Sequence, residues 1–533
     1  MKIFNFQKTG EILFFALFAI LTLLSLVPLY IVRFPPMQDA YQHLAIADII
    51  HNYGAEGYIY KDYFDLPSSV KPNMLYYYLC SLVGFFTGIE PANKIIISLY
   101  VILLPLSFGY FLVSFGRNRI LSLFVFPFIY NAFFGYGFVS FFLGIPLILF
   151  GLGAYRRYLE KTCATIKSRH AAIFSFLLLL SFFVHAHIFL LFSMLAGSLM
   201  LFNFFSRLNE IGRDRRRYLA YNFLLFVPSL LVFLPWFIEY FVFQTPSQAG
   251  IKFGGFDSFF GPTYYKFNYL ITSFFHYIGN FFDDDSEEMI FLAVSFAALA
   301  MAAFAKRAAG LRKDLEFLTI VTAVSIFALP EHISAQAIVS TRHIFFLFLF
   351  FFGWIAFEER KRLVIPLAVA LAVISIISFA NTAKGFIRFD RELDELPELF
   401  ESLKPHKRLL KVAYSSESSF INYGVFWHTH YLYLVLKGGI SDVQFAEYPS
   451  NPVQYKRGTV PPKPPFEFYE NNEWKYFDYI LFRKDRMPFR KSLLNEMRFV
   501  AENREWAIFE VACMPEKQTE ESLEIFGRRE PGI

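Results

Sequence analysis

A carboxyl group and an imidazole stand four residues apart in the loop that follows the first apolar segment of this chain. Asp39 and His43 lie in the stretch FPPMQDAYQHLAIADII, and on a helix this spacing places both side chains on one face. An acid and an imidazole at a membrane boundary suit proton transfer, metal binding or diphosphate binding. Asp39 also fits a helix N-cap, with Gln42 as its partner in a capping box, and the two roles are compatible.

Two further imidazoles interrupt an apolar stretch, where ionisable side chains are rare and usually face a cavity. His185 and His187 occur in SFFVHAHIFL. A spacing of two residues puts them on nearly opposite sides of a helix, so they share a site only if the helix breaks there. The alternative is that one makes a hydrogen bond at the interface and the other packs against a neighbouring helix.

The other candidate residues lie near the C-terminal end of the apolar part and beyond it. Arg342 and His343 begin the segment RHIFFLFLFFF, where the guanidinium could bind a phosphate or simply anchor the end of a span. His428 and His430, in FWHTHYLYL, alternate as on a strand. Because no third metal ligand is evident beside them, a packing or surface role is expected.

Long apolar segments must position these residues. Residues 12–32 carry no charge and are long enough to cross a hydrocarbon layer of ~30 Å at ~1.5 Å per residue. The 533-residue chain is 56% hydrophobic and only 18% charged, which predicts an α-helical multi-pass membrane bundle. The predicted spans are 12–32, 74–88, 94–115, 119–132, 137–155, 171–184, 187–205, 219–243, 289–305, 315–330, 343–358 and 363–381.

Basic clusters between the spans predict the orientation of the bundle, because such clusters remain in the cytoplasm. The loops 33–73 and 244–288 are then outside, and so is the chain from residue 382 onward. The basic clusters are 207–217, 306–313 and 358–362.

The number of crossings must be odd if the N-terminus is inside and the C-terminus outside. Lys2 and Lys8 favour an inside N-terminus, yet twelve apolar segments are present. Joining the segments 119–132 and 137–155 into one crossing keeps the basic loop after them inside. This interpretation predicts about eleven crossings.

Two extramembranous parts are predicted. Residues 40–53 show a roughly helical apolar period and are expected to form an amphipathic helix along the outer membrane surface. The strand-like runs 408–414, 477–483 and 506–512 predict a small α/β domain at the C-terminus. The predicted domains are therefore 1–381, a transmembrane domain, and 382–533, a soluble extracytoplasmic domain.

The placement of the ionisable residues narrows the function. A basic, water-exposed face for nucleic acid is not evident. A transporter would place its polar site near the bilayer midplane, between repeats, whereas these residues lie at the outer boundary. That position suits a reaction between a lipid head group and a molecule from outside. The alternative is a non-enzymatic protein that transports lipid-linked glycans or binds envelope glycans.

The order of these parts resembles the GT-C superfamily of integral-membrane glycosyltransferases. The likeness is to bacterial members with a P-x-x-D-x-x-x-H motif in the first loop, matched here by Pro36, Asp39 and His43. It implies a cell-membrane enzyme, which would lie in the inner membrane if the cell is Gram-negative, that moves a hexose or pentose from a polyprenyl phosphate. The acceptor would be an extracytoplasmic glycan, lipid or protein, and the anomeric centre would be inverted.

The resemblance also implies roles for the candidate residues. Asp39 would be the catalytic base or an acceptor-binding group, with His43 beside it. Asp48 is a candidate for the second acid found in many members, although it lies inside the predicted helix. No fixed cofactor is implied, and a divalent metal is allowed. The residues expected to bind the lipid phosphate are Arg342, His185, His187 and His343.

Overall fold

The structure is a computed structural model, in which apolar helices form most of the described chain. Among the residues that the structure describes, six helices are long and apolar enough to cross a membrane, by length and composition. The predicted count of about eleven crossings stays a prediction, and the predicted loop 244–288 lies largely outside the described residues. These residues are 6–160, 168–239, 276–279, 282, 289, 293, 313–329, 338–353, 361–413, 415–421, 423–442, 445–463, 472–484 and 496–511.

The helices follow the apolar segments of the sequence, with short polar or glycine-containing breaks between them. The longer helices are α1 (Phe6–Ile31), α2 (Ala40–Asn52), α4 (Leu75–Thr87), α5 (Ile89–Ser114), α7 (Val139–Leu159), α8 (Arg169–Val184), α9 (Ala186–Ser206), α11 (Arg215–Ile238), α12 (Lys313–Ala328), α13 (His343–Phe352) and α14 (Lys361–Leu393). The short ones are α3 (Tyr60–Tyr63), α6 (Ala132–Gly135), α10 (Leu208–Ile211), α15 (Leu396–Leu399) and α16 (Leu432–Lys437).

Charged contacts identify one end of the helix bundle, which we call the basic end. Arg119 pairs with Glu11 at 2.9 Å, and Arg156 at the end of α7 pairs with Asp314 at the start of α12. Arg207 donates from Nη1 to the Leu159 carbonyl at 2.9 Å. The opposite end, which we call the site end, carries the loop 33–73, termed the first loop below.

The path of residues 75–159 corrects the predicted topology. Helix α4 has both ends at the site end, because Asn73 before it accepts the Ala186 amide and Glu90 after it pairs with Arg33. The segments on either side of 131–137 were predicted to form one crossing together. In the structure they run in opposite directions. The chain runs from Arg119 at the basic end, through a 3₁₀ helix Arg119–Phe128 and α6, to the site end. It then returns in α7, after a turn in which Gly137 has a positive φ.

The C-terminal region, residues 382–533, contains a five-stranded mixed sheet in the order β3-β2-β5-β7-β6. Parallel pairing joins β2 to β3 and β5, and antiparallel pairing joins β7 to β5 and β6. The three strands predicted from sequence are confirmed, and α14 extends across residue 382 without a break. The strands are β2 (Arg408–Val412), β3 (Ile440–Ser441), β5 (Tyr479–Arg483), β6 (Met497–Glu502) and β7 (Trp506–Val511).

Backbone pairing fastens the first loop to the C-terminal region. Strand β1 (Phe64–Asp65) of the loop pairs antiparallel with β4 (Gln454–Tyr455), placing Phe64 opposite Tyr455. The Tyr60 hydroxyl donates to the Leu434 carbonyl at 3.1 Å, and the Lys71 ammonium donates to the Pro449 carbonyl at 2.8 Å. Both parts therefore lie at the site end.

Helix α2 is confirmed in position but not in its predicted surroundings. Most of its residues are buried, including Tyr41, Leu44 and Ile49, because the helix packs against α4 and α5 on one side and the C-terminal region on another. The amphipathic pattern therefore reflects burial within the protein, where a helix on the membrane surface was predicted.

Cysteines at Phe64 and Tyr455 should react together with a short bifunctional thiol reagent, because facing Cβ atoms on paired strands are ~4.5–5.5 Å apart. The three native cysteines are first replaced, and the cross-linked peptide pair is detected by mass spectrometry. Moving one cysteine from position 64 to Asp65 provides the control, since that side chain points to the opposite face. Equal cross-linking of both pairs would contradict the pairing.

Candidate active site

The backbone around Asp39 is fixed by the glycine-rich turn that precedes α7. The Gln38 amide donates to the Gly135 carbonyl at 2.9 Å, and the Asp39 amide donates to the Tyr136 carbonyl at 3.1 Å. Gly137 lies against them with φ +74°, and a Cβ there would be 2.8 Å from the Asp39 nitrogen. The chain can approach this closely only because residue 137 has no side chain.

The Asp39 carboxylate is at the N-cap position of α2 but makes no capping hydrogen bond. Its Oδ1 instead accepts from Gln38 Nε2 at 3.3 Å and lies 3.5 Å from Nε2 of His428. Burial raises the pKa of Asp39 to about 7, although the Gln38 amide and the charge of Arg342 oppose this. A carboxyl group of this kind exchanges protons near neutral pH, as a general base must.

His43 lies one turn further along α2 and faces the C-terminal region. Its Nδ1 is 2.8 Å from the Tyr77 hydroxyl, and its ring is 5.0 Å from that of Phe445. Burial lowers the pKa of His43 to about 3, so the imidazole is neutral at physiological pH. It can therefore orient a hydroxyl group but carries no charge for a phosphate.

Helix α8 ends at Val184 and α9 begins at Ala186, with His185 extended between them. The break brings both imidazoles to one side, where His185 and His187 pack against Phe141 at ring distances of 6.1 and 5.9 Å. The sequence predicted that two histidines spaced by two residues share a site only if the helix breaks there, and the helix does break at His185.

A hydrogen-bonded chain connects His187 to α13 and α12. His187 Nε2 is 3.0 Å from Nε2 of His343, whose Nδ1 is 2.6 Å from the Ser325 hydroxyl. Ser325 donates its own proton to the Thr322 carbonyl, so His343 must donate from Nδ1 and accept from His187. Both imidazoles are thereby engaged with protein groups.

Arg342 is buried, and its guanidinium lies over two aromatic rings. Its guanidinium carbon is 4.3 Å from the centre of the Phe138 ring and 5.1 Å from that of Phe141. Nη1 is 3.5 Å from Nε2 of His185. Because His185 Nδ1 accepts the His187 amide, the neutral imidazole carries its proton on Nε2. Two N–H donors thus face each other, an arrangement that suits an anion shared between them.

The structure brings most of the predicted site residues together at the site end. Asp39 and Arg342 lie near enough for their charges to interact, His185 adjoins Arg342, and His43 is one turn from Asp39. His187 and His343 form the layer behind them. Asp48 is separate, since its two carboxylate oxygens accept from Tyr60 and Asn52.

The sequence did not reveal His428 as a site residue. The stretch FWHTHYLYL was interpreted as strand-like, but residues Thr429–Tyr431 form a 3₁₀ turn that leads into α16. This turn separates the two imidazoles. His430 pairs with Asp442 at 2.8 Å inside the C-terminal region, whereas His428 reaches Asp39. Only the docking of two parts distant in sequence shows this contact.

A cleft of about 530 Å³ opens beside these residues, between the first loop, the end of α11 and the C-terminal region. Ala446, in its wall, adjoins Phe445, whose ring contacts those of His43 and His428. The volume is typical of small-molecule sites. The polar and aromatic side chains that line it include Lys71, Trp236, Glu239, Glu447, Gln454 and Tyr455.

Comparison with solved structures identifies the fold. ArnT from Cupriavidus metallidurans bound to undecaprenyl phosphate aligns over 96% of this chain and 100% of its own, with a TM-score of 0.50 and 13% identity. This chain has the GT-C fold. The GT-C chain is also similar to the apo state of the same ArnT, with a TM-score of 0.47, 14% identity and coverage of 96% of this chain and 100% of that one.

A third similar structure is the oligosaccharyltransferase of Archaeoglobus fulgidus in complex with Zn and sulfate. It has a TM-score of 0.48 and 12% identity, and it covers 88% of this chain and 68% of its own. No family model matches the sequence, and no curated protein does. Within the described ranges of this GT-C chain, no three His, Cys, Asp or Glu side chains come together as metal ligands.

Replacing Gly137 with alanine should destabilise the protein more than the same change at Gly116. Both residues have a positive φ, which costs an alanine roughly 1–2 kcal/mol, but nothing lies within 4 Å of the position that a Cβ would take at Gly116. At Gly137 the new Cβ also meets the backbone of Asp39 and Ala40. Thermal unfolding in detergent measures the difference, and equal melting temperatures would contradict the account.

Proposed function

We propose that this protein is a membrane glycosyltransferase that moves a sugar from a polyprenyl phosphate to an acceptor hydroxyl, with Asp39 as the base. The observation that carries the proposal is a largely buried carboxyl group and a buried guanidinium at the site end of a GT-C fold, close enough for their charges to interact. The carboxyl group of Asp39 would activate the nucleophile, and the guanidinium of Arg342 would bind the leaving phosphate. Their position at the bundle boundary, near the cleft, favours this enzyme over a non-enzymatic glycan transporter or glycan-binding protein.

The phosphate of the lipid donor binds between Arg342 and His185. The guanidinium and the Nε2–H of His185 are two donors that converge on one space, and both are buried among the aromatic side chains of α7. A phosphate oxygen could accept hydrogen bonds from both groups. Undecaprenyl phosphate bound to ArnT, which shares this fold, supports a lipid of the same class. His187 and His343 hold His185 and α13 in place.

The reaction is a single displacement at the anomeric carbon. The acceptor oxygen forms a bond to that carbon while the bond to the phosphate oxygen breaks, and attack from the opposite face inverts the centre. Asp39 takes the proton of the acceptor hydroxyl, and the polyprenyl phosphate leaves as an anion held by Arg342. His43, neutral and bonded to Tyr77, orients the acceptor.

The acceptor enters through the cleft, whose wall adjoins His43 and His428. Acidic side chains and an indole, provided by Glu239, Glu447 and Trp236, suit the hydroxyl groups and apolar faces of a hexose or pentose unit. The acceptor is an extracytoplasmic glycan, lipid or protein. This assignment places the first loop and the C-terminal region outside the cell membrane and the basic end in the cytoplasm.

Asp39→Asn should abolish transfer, with a loss of about a hundredfold or more, because the amide cannot take a proton. The assay follows release of polyprenyl phosphate in proteoliposomes from a panel of polyprenyl-phosphate-linked hexoses and pentoses, with envelope extract as acceptor. Asp62→Asn, an exposed carboxyl group in the same loop, is the matched control and should retain activity. Full activity of Asp39→Asn would remove Asp39 from the mechanism.

The pH dependence of kcat/KM should report the ionisation of Asp39. A base must be deprotonated, and burial raises the pKa of Asp39 to about 7. The rate should therefore fall about tenfold for each pH unit below neutrality and level off above it. A profile measured between about pH 5 and pH 8 tests this, and a rate that stays constant down to the lowest pH would contradict the assignment.

A further inference from the structure

The contact between Asp39 and His428 joins two parts of the chain that are far apart in sequence. His428 follows β2 in the C-terminal region, and Asp39 begins α2 in the first loop. The two atoms, Nε2 and Oδ1, are 3.5 Å apart, and each side chain is only 15% exposed. Hydrogen bonds of catalytic groups are often this long before substrate binds and shorten in the complex.

The charge state of His428 fixes what the contact can do. Burial lowers the pKa of His428 well below its ordinary value, and nearby His430, Lys411 and His43 act in the same direction. The imidazole is therefore neutral and has one N–H. Nδ1 is buried and has no hydrogen-bond partner in the described part of the chain. A buried N–H without a partner is rarer than a buried acceptor, so the proton belongs on Nε2, facing Asp39.

The two oxygens of Asp39 are consequently not equivalent. Oδ1 accepts from Gln38 Nε2 at 3.3 Å, and Nε2 of His428 lies 3.5 Å from the same oxygen. Among the described residues no group donates to Oδ2. A carboxylate that is fixed through one oxygen presents the other in a defined direction.

We propose that His428 is a positioning residue through which the C-terminal region completes the active site: with Gln38 it holds Oδ1 of Asp39 and leaves Oδ2 as the oxygen that takes the acceptor proton. This inference rests on the proposed function, in which Asp39 is the base. The C-terminal region thus contributes directly to the reaction through one imidazole. Its docking on the first loop, through β1 and β4, sets the position of that imidazole.

The contact predicts an effect on the ionisation of Asp39, because a donor to a carboxylate stabilises the charged form. His428→Leu removes the donor, so the ionised fraction of Asp39 in mildly acidic solution should fall about tenfold, because hydrogen bonds to charged groups are stronger than those between neutral groups. His428→Gln offers an amide N–H in place of Nε2 and should recover most of it. Among the described residues, the titratable or polar groups that face this pair are Gln38, Arg342, Tyr77, His43, His430, Tyr431 and Lys411.

Infrared titration of the full chain in nanodiscs measures this without any substrate. The band of the protonated Asp39 carboxyl is isolated as the difference between each protein and the same protein carrying Asp39→Asn. Trp427→Leu, a change at the exposed neighbouring residue, is the control and should titrate as the wild type does. Size-exclusion profiles and helical circular dichroism verify that each variant is folded.

Transfer kinetics provide the second measurement. His428→Leu should lower kcat about tenfold and leave KM for the lipid donor unchanged, because His428 does not adjoin Arg342 or His185. Wild-type titration and wild-type kcat in His428→Leu would overturn the inference while Asp39→Asn remained inactive. If Asp39→Asn were active instead, the proposed function would fail. The contact between His428 and Asp39 would then have no role in catalysis.

Discussion

Docking of the first loop against the C-terminal region is the interaction on which the rest of the site depends. Pairing of β1 with β4, together with the bonds from Tyr60 and Lys71, holds the two parts together. The same docking buries α2 and brings His428 to Asp39. Without it, Asp39 would be an exposed helix cap with an ordinary carboxyl group.

Burial gives the charged groups their chemical character. Removal from water raises the pKa of Asp39 towards neutrality, and it leaves the imidazoles of His43 and His428 uncharged. Arg342 keeps its charge on a platform of two phenyl rings, where the rings attract the cation. One carboxyl group with a pKa near neutrality and one cation therefore stand among neutral donors and acceptors, and the proposed transfer from a phosphate would use both.

The sequence predicted the parts whose signals are local. Apolar length identified most of the helices, alternation identified β2, β5 and β7, and the P-x-x-D-x-x-x-H motif directed attention to Asp39. The prediction was wrong where the composition of a helix did not determine its position in the fold. The apolar helix α4 has the composition of a span but lies at the site end, and the amphipathic α2 packs inside the protein.

Long-range contacts could not be predicted from one sequence. His428 has no local feature that separates it from His430, and only the fold shows that one reaches Asp39 while the other pairs with Asp442. Gly137 gave a weak signal, since glycine and aromatic residues cluster around it, but its contact with the Asp39 backbone depends on the tertiary fold.

The central claim is that Asp39 and Arg342 act on one lipid-phosphate-linked sugar at the site end. Cryo-electron microscopy of the protein in nanodiscs containing polyprenyl phosphate tests it most directly. The account predicts phosphate density within hydrogen-bonding distance of Arg342 and His185 Nε2, on the side that faces Asp39. Phosphate bound elsewhere, with that space filled by protein side chains, would contradict it.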